Sequence, residues 1–254
     1  MSHHSAHPVS IDVIPAPHPH DPLTGAEIAA ARAVLESAGL LGETVRVPML
    51  LPDEATKDEL AAWKPGAPID RRVDVTLRDT ATGVTTDVIV SITRGEVLSA
   101  ERLPNDAAPY GQPQYLFEEY DRAETIVKNS PEWRAAMTRR GLEEHIDLAF
   151  CSPLAPGYTG RADEVGRRII RSLTFLRYDE HDSPWAHPVE GLIVHIDLTN
   201  DSVIRVEDIG DVPVPEGHGN YYPEVQGEAR TSLKPIEIIQ PEGPSFSVSG
   251  SLVE

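Results

Sequence analysis

Arg71-Arg72-Val73-Asp74-Val75-Thr76-Leu77-Arg78 places Val73, Val75 and Leu77 at every second position, and Asp79-Thr80-Ala81-Thr82-Gly83 then interrupts the pattern before Val84–Thr93 resumes it. Alternation with period two is the mark of a half-buried strand, and an Asp- and Gly-rich break between two such runs is the mark of a hairpin. Arg94-Gly95 supplies a second break, after which Glu96–Arg102 reads as a further strand. Upstream, Thr44–Leu51 is strand-like, and Pro52–Pro68 is a polar, proline-punctuated insertion with room for one helical turn at Asp53–Trp63. An antiparallel sheet follows from these runs.

A helix precedes that sheet. Thr24-Gly25-Ala26-Glu27 fits a capping box, Ile28, Ala31, Leu35 and Ala38 recur at helical spacing, and Gly39 ends the run. After Pro104–Pro113, rich in turn formers, the order repeats. Leu116–Lys128 is helical in character, and Ser130-Pro131-Glu132 opens a second helix that ends near Gly141. Strands are expected at Ile146–Phe150, Arg168–Tyr178, Glu190–Leu198 and Val203–Asp208, with Leu192, Val194, Ile196 and Leu198 on one face. The fold class is therefore α+β: two small tandem domains, each a helix packed on an antiparallel sheet.

The expected division is a flexible His- and Pro-rich leader over 1–23, a first domain over 24–103, a linker over 104–113, a second domain over 114–211 and an extended segment over 212–254. That last segment holds six prolines, little periodicity and a short apolar patch at Ile236–Ile239, so it belongs against something larger.

Composition narrows the chemistry. The 254 residues carry 22 basic and 41 acidic side chains, a formal charge of −19, which repels phosphate backbones and anionic lipid; neither nucleic acid nor membrane is an expected partner. No run approaches a membrane-spanning length, and no basic-then-apolar signal segment opens the chain, so a cytoplasmic location is expected. One cysteine, Cys151, excludes an intramolecular disulfide and a Cys-cluster zinc site. No phosphate loop, dinucleotide fingerprint, zinc-protease helix or nucleophile elbow is present.

The remaining candidates are weak as sites. His3, His4, His7, His18 and His20 could gather a metal ion, but a Pro-rich leader offers no partners to orient the rings, so no specific metal site is expected. Cys151 is read as a half-buried structural thiol, since a nucleophile needs an adjacent base. Trp185-Ala186-His187-Pro188 is either a sheet-edge loop packed for stability or a wall of a binding channel.

Several segments together resemble the bacterial copper- and topaquinone-dependent primary amine oxidases. They are Ala38-Gly39-Leu40-Leu41-Gly42, Arg167-Arg168-Ile169-Ile170-Arg171, Trp185-Ala186-His187-Pro188-Val189-Glu190-Gly191-Leu192, and Pro213-Val214-Pro215 leading to His218-Gly219-Asn220-Tyr221. Lys234-Pro235-Ile236 and Gln240-Pro241-Glu242-Gly243-Pro244-Ser245-Phe246 complete the match, which runs over roughly 24–250.

The resemblance implies the cystatin-like N2 and N3 domains of that family, followed by the opening of its β-sandwich catalytic domain, in a chain that looks truncated. Family members are homodimers that oxidise primary amines to aldehyde, ammonia and hydrogen peroxide with copper and topaquinone. The catalytic tyrosine, the aspartate base and the copper histidines have no matching position here, so no catalytic, metal or cofactor residue is expected in this chain and it should be inactive alone. Asn220-Tyr221 lacks the following acid, and His18-Pro19-His20 only imitates a copper-ligand pattern. The family's substrate-channel residues carry over to Tyr120, where relatives have Phe, and to Leu154 and Trp185. The alternative is a stand-alone binding or interaction module derived from the two domains.

Overall fold

The computed structural model describes residues 18–104, 111–157, 159–249 and 252–253. His3, His4, His7 and part of the linker read at 104–113 lie outside the described residues.

In the first unit α1 spans Gly25–Ser37, and its capping box is present: Thr24 Oγ1 accepts from the Glu27 N–H at 3.2 Å, and Glu27 Oε2 accepts from the Thr24 N–H at 2.8 Å. Gly39 turns the chain out at φ +69°, while the Leu40 N–H reaches back to Leu35 O at 3.0 Å, satisfying a carbonyl that the helix end would orphan. Strands β1 (Val45–Pro52), β2 (Arg72–Asp79), β3 (Thr85–Ser91) and β4 (Glu96–Leu103) form an antiparallel meander in chain order. Val73 faces Val90 and Val75 faces Val88. These four, with Leu77, Ala31 and Leu35, make the buried core. Each of the valines and leucines contributes about 1.5–3 kcal/mol on burial, so the hairpin pattern and the helix face together account for the unit's cohesion. The helical turn in the insertion is α2 (Lys57–Ala62), capped by Thr56 and Glu59 in the same reciprocal manner.

The second unit repeats the plan with two helices. α3 (Phe117–Asn129) and α4 (Pro131–Arg139) meet at Ser130, whose Oγ accepts from the Trp133 N–H at 3.3 Å. Strands β5 (Phe150–Leu154), β6 (Ile169–Phe175), β7 (Pro188–Asp197) and β8 (Ser202–Asp208) again run antiparallel in chain order. Trp133 is fully buried among Val127, Met137, Cys151, Ile170 and Val194, and its Nε1–H donates to Thr174 Oγ1 at 2.9 Å, so the one polar atom of the ring is satisfied.

Two expectations are corrected. The strand read at Ile146–Phe150 begins only at Phe150: Ile146 and Ala149 are buried from a turn that follows a single 3-10 turn at Glu143–His145. Pro153 sits inside β5 because β5 is the sheet edge, where a missing N–H breaks no ladder. Cys151 is wholly buried rather than half-buried, and burial pushes its thiol up to about 12.

Beyond β8 the chain is extended, with one short helix, α5 (Pro223–Gln226), and a two-residue strand pair, β9 (Val248–Ser249) with β10 (Leu252–Val253). Val214 still packs against the second core, whereas Ile236 and Ile238 are 91% and 92% exposed and add nothing to either core. No helix among the described residues is long and apolar enough to cross a membrane.

Candidate functional site

On β5 the pleat sends Cys151 into the core and Phe150 and Leu154 to the opposite face. Phe150 lies directly across from Phe175 on β6, and Pro188, the first residue of β7, also pairs with Phe175. The 3-10 turn Pro184–Ala186 just before that proline therefore delivers Trp185 onto the two phenyl rings. Its indole meets Phe175 edge-on at 4.9 Å and Phe150 at 5.5 Å, yet 62% of the residue stays exposed. The Arg177 guanidinium sits 5.3 Å from the centre of the Phe150 ring. Leu154, 47% exposed, ends the same strand opposite Arg171.

Tyr120 projects from α3 beside Tyr115 and Phe117, at ring separations of 6.2 and 6.5 Å. It lines a cleft of about 450 Å³ together with Tyr115, Ala155, Pro156, Arg161 and Arg168. The structure thus brings Tyr120 to the turn that follows Leu154, whereas Trp185 stands at the other end of β5. Arg168 at the cleft is held by Glu119 through Nε at 2.9 Å and Nη2 at 2.8 Å, and lies 4.0 Å over the Tyr115 ring. Burial pushes the Tyr115 phenol up to about 12, and its hydroxyl donates to Ile169 O.

His187 resolves the other half of the Trp-Ala-His-Pro segment. The ring is fully buried, packed on Tyr178 at 4.4 Å, and its Nδ1–H donates to Pro215 O at 2.7 Å. Its Nε2 lies 2.9 Å from Asp182 Oδ2, an electrostatic contact without hydrogen-bond alignment. Asp182 in turn accepts from the Tyr178 N–H at 2.9 Å and the Gly219 N–H at 2.6 Å. Burial would raise this carboxyl; those backbone donors and His187 overcome it and hold it below the ordinary carboxylate range. The outcome is a clasp that binds Pro215–Gly219 to the β6–β7 loop, closed outside by His218 Nε2 on Asp179 Oδ2 at 2.8 Å.

Sequence reasoning missed the clasp because its halves lie 28 and 37 residues apart. It also missed the row Arg171, His195 and Arg205 across β6, β7 and β8. Arg205 Nη2 and Arg171 Nε lie 2.8 and 3.3 Å from His195 Nδ1, so that nitrogen accepts and Nε2 carries the proton, 3.0 Å from Glu207 Oε1. Only the alternation of β7 could have signalled that His195 shares a face with Asp197.

Neither imitation motif builds a centre for copper or a quinone. His18 packs edge-on against Trp63 at 4.8 Å, and its Nδ1 accepts from the His20 N–H at 3.1 Å. Asn220 Oδ1 accepts from the Tyr222 N–H at 3.0 Å, a local turn that leaves Tyr221 exposed. Among the described residues no three His, Cys, Asp or Glu side chains converge as a metal site. These residues do not fit the groups, and no step is derived through them.

Two α+β units, each with helices on a four-stranded antiparallel sheet and the second carrying a row of three aromatic rings on one face, make up a tandem module. Comparison with known proteins identifies it: residues 24–100 match the AGAO-like N2 domain and residues 118–224 the copper amine oxidase N3 domain. The chain carries the N2 and N3 domains of the copper amine oxidases and is homologous to their N-terminal region.

It is 40% identical over 236 residues to a primary amine oxidase of Arthrobacter sp. (strain P1), covering 93% of this chain and 35% of that protein. It is also 40% identical over 238 residues to a histamine oxidase of Arthrobacter globiformis, with 93% and 34% covered. The crystal structure of a copper-containing benzylamine oxidase from Hansenula polymorpha shares the fold at a TM-score of 0.67 and 20% identity, over 94% of this chain and 39% of that one. The chain thus spans about a third of the length of these relatives.

Proposed function

We propose that this chain serves as the N2–N3 portion of a copper- and topaquinone-dependent primary amine oxidase, and that its second domain walls the path by which an amine reaches the catalytic centre. One observation carries this reading: Trp185 is a large indole left open to solvent and yet fixed by two ring contacts. An exposed, ordered apolar surface marks a place of contact, and such a wall takes the organic tail of an amine while displacing water. Leu154 on the same face and Tyr120 at the neighbouring cleft are further wall residues, with the Tyr120 hydroxyl adding a polar tip where Phe would have none.

The relatives are oxidases of amines by name, which supports a primary amine as the substrate class. Binding, orientation and exclusion of water fall to this chain; the oxidation falls to the catalytic domain. A homodimeric enzyme in the cytoplasm completes the proposal, and a lone buried thiol suits a reducing compartment.

The test has two arms. The purified chain, given copper, oxygen and phenethylamine or tyramine, should release no peroxide and give no quinone stain. In the oxidase that carries this portion, Trp185→Ala should raise KM for an aromatic amine several-fold and leave kcat in place. Peroxide from the chain alone, or an unmoved KM, overturns the reading.

A further inference from the structure

The Phe150 ring that holds Trp185 has a neighbour that the channel reading does not use. Arg177, two residues beyond Phe175, follows the end of β6, and its guanidinium covers the Phe150 ring at 5.3 Å. Arg177 has no carboxylate within 4 Å among the described residues, although the chain as a whole is strongly acidic. A cation therefore stands beside the aromatic row with no carboxylate at ion-pair distance among the described residues.

The ring geometry makes the row a rigid plate. Phe150 and Phe175 are 6.4 Å apart and tilted by 38°, and the indole stands on both at 80° and 66°. Edge-to-face contacts of this kind restrain a ring through its quadrupole, so Trp185 presents one fixed face to whatever lies on it. An indole face by itself attracts a free ammonium group as readily as it stacks with an aryl ring. Arg177 breaks that tie. A second positive charge brought over the plate would meet the guanidinium across a partly desolvated surface, where like charges repel more strongly than in bulk water. An uncharged aryl group meets no such opposition.

We infer that Phe150 and Phe175 are positioning residues for Trp185, and that Arg177 tunes this wall for monoamines with an aromatic tail while turning away diamines. The inference rests on the reading of the second domain as a channel wall. The amine that reacts points away from the plate toward the catalytic centre; the tail lies on the indole; a diamine would have to lay its second ammonium beside Arg177. The selectivity is set by this chain, apart from any group that performs the oxidation.

The isolated chain is sufficient for the test, because the signal comes from Trp185 itself. The three tryptophans, Trp63, Trp133 and Trp185, give three indole N–H resonances, and Trp185→Phe identifies the relevant one. Titration with phenethylamine should shift that resonance and leave those of Trp63 and Trp133 in place. Titration with 1,4-diaminobutane should need a concentration ~5–10-fold higher for the same shift, a size expected of one like-charge contact at a protein surface.

Arg177→Met keeps the length of the side chain and removes its charge, so the diamine should close most of that gap while phenethylamine changes little. Phe150→Ala should weaken the response to phenethylamine and sharpen the Trp185 line as the ring gains freedom. Phe150→Leu, which keeps the bulk, should restore part of the response. A Trp185 resonance that ignores both amines defeats the channel reading together with this inference. A resonance that responds equally to both, or a ratio that Arg177→Met leaves unmoved, defeats the inference alone.

Discussion

The two domains are closed by one device used twice. Arg71 stands just before β2 and Arg168 just before β6; each gives its N–H to a threonine hydroxyl, Thr93 at 2.9 Å and Thr199 at 3.1 Å. Each carbonyl takes the N–H of the preceding apolar residue, Ile92 or Leu198, at 2.9 and 2.8 Å. Each guanidinium then reaches the third residue of its domain's first helix, Glu27 or Glu119, and gathers carbonyls of the chain leading into that helix: Pro19, Asp21 and Pro22 for Arg71, Pro113 and Gln114 for Arg168.

The difference lies in what else secures the helix. α1 has the Thr24 hydroxyl as a cap, whereas Leu116 caps α3 with no side-chain oxygen. The second domain also buries its pair more deeply, with Arg168 and Glu119 side chains 1% and 9% exposed against 9% and 19% for Arg71 and Glu27. Where the cap is poorer, the ion pair holds more of the structure.

That contrast sets the largest expected effect. Arg168→Met strands Glu119 in a buried site and should cost about 3–5 kcal/mol, the usual penalty for breaking one side of a buried pair. Arg71→Met leaves a carboxylate that water reaches, and about 1.5–3 kcal/mol is expected from its lost charged hydrogen bonds. Urea unfolding followed at Trp133 for the second domain and Trp63 for the first measures each; equal losses would break the comparison.

Burial alone would raise Glu119, but Arg168 and the Leu116 N–H overcome it and hold the carboxyl below its ordinary 4.5. Its contribution is thus complete above that value and is lost as pH falls through the folded pKa.

A smaller effect is expected at the clasp. A Cβ at Gly219 would come within 2.8 Å of Ala186 Cβ, 3.0 Å of Asp182 Oδ1 and 3.2 Å of Ser183 O. Gly219→Ala should therefore cost about 1–3 kcal/mol by overpacking, spent on opening the clasp rather than on either core. Limited proteolysis reads it directly: the wild type should be cut beyond Asn220, where side chains are exposed, and the variant also at 212–219. Cleavage within 212–219 in the wild type would show that the clasp does not hold.

The hairpins, the reciprocal cap of α1 and the helix ends at Gly39 and Gly141 were legible because each is set by residues within a few positions. Gly141, at φ +68°, is followed by a Leu142 N–H that returns to Met137 O at 2.9 Å, as Leu40 does to Leu35. The extent of β5 was not legible: Ile146 and Ala149 are apolar because a turn buries them, and a proline inside an edge strand looks in sequence like one at a strand end. The Arg71 and Arg168 pairs span 44 and 49 residues, and nothing local marks either glutamate as more than a helix-start acid. At the candidate site the resemblance supplied Tyr120, Leu154 and Trp185. Phe150, Phe175 and Arg177 emerged only once β5, β6 and the Pro184–Ala186 turn were placed together.

The finest comparison sets two histidines of the second domain against each other. His195 is depressed below 6.5, first by burial and then by Arg205, so its neutral form is favoured and its contribution is present above 6.5 and lost as pH falls. His218 is raised above 6.5, first by its hydrogen bond to Asp179, with Asp182 3.9 Å from its other nitrogen. Its contribution runs the opposite way, present below 6.5 and lost as pH rises through its folded pKa. Acidification should therefore tighten the outer lock of the clasp while it loosens the sheet face around His195. Imidazole C–H resonances followed from pH 5 to 8, the range in which histidine changes charge, should titrate on opposite sides of 6.5. Asp179→Asn should bring His218 back toward 6.5 and leave His195 where it was, whereas Arg205→Met should raise His195 alone. If either substitution moved both histidines, the clasp and the sheet face would be a single coupled unit.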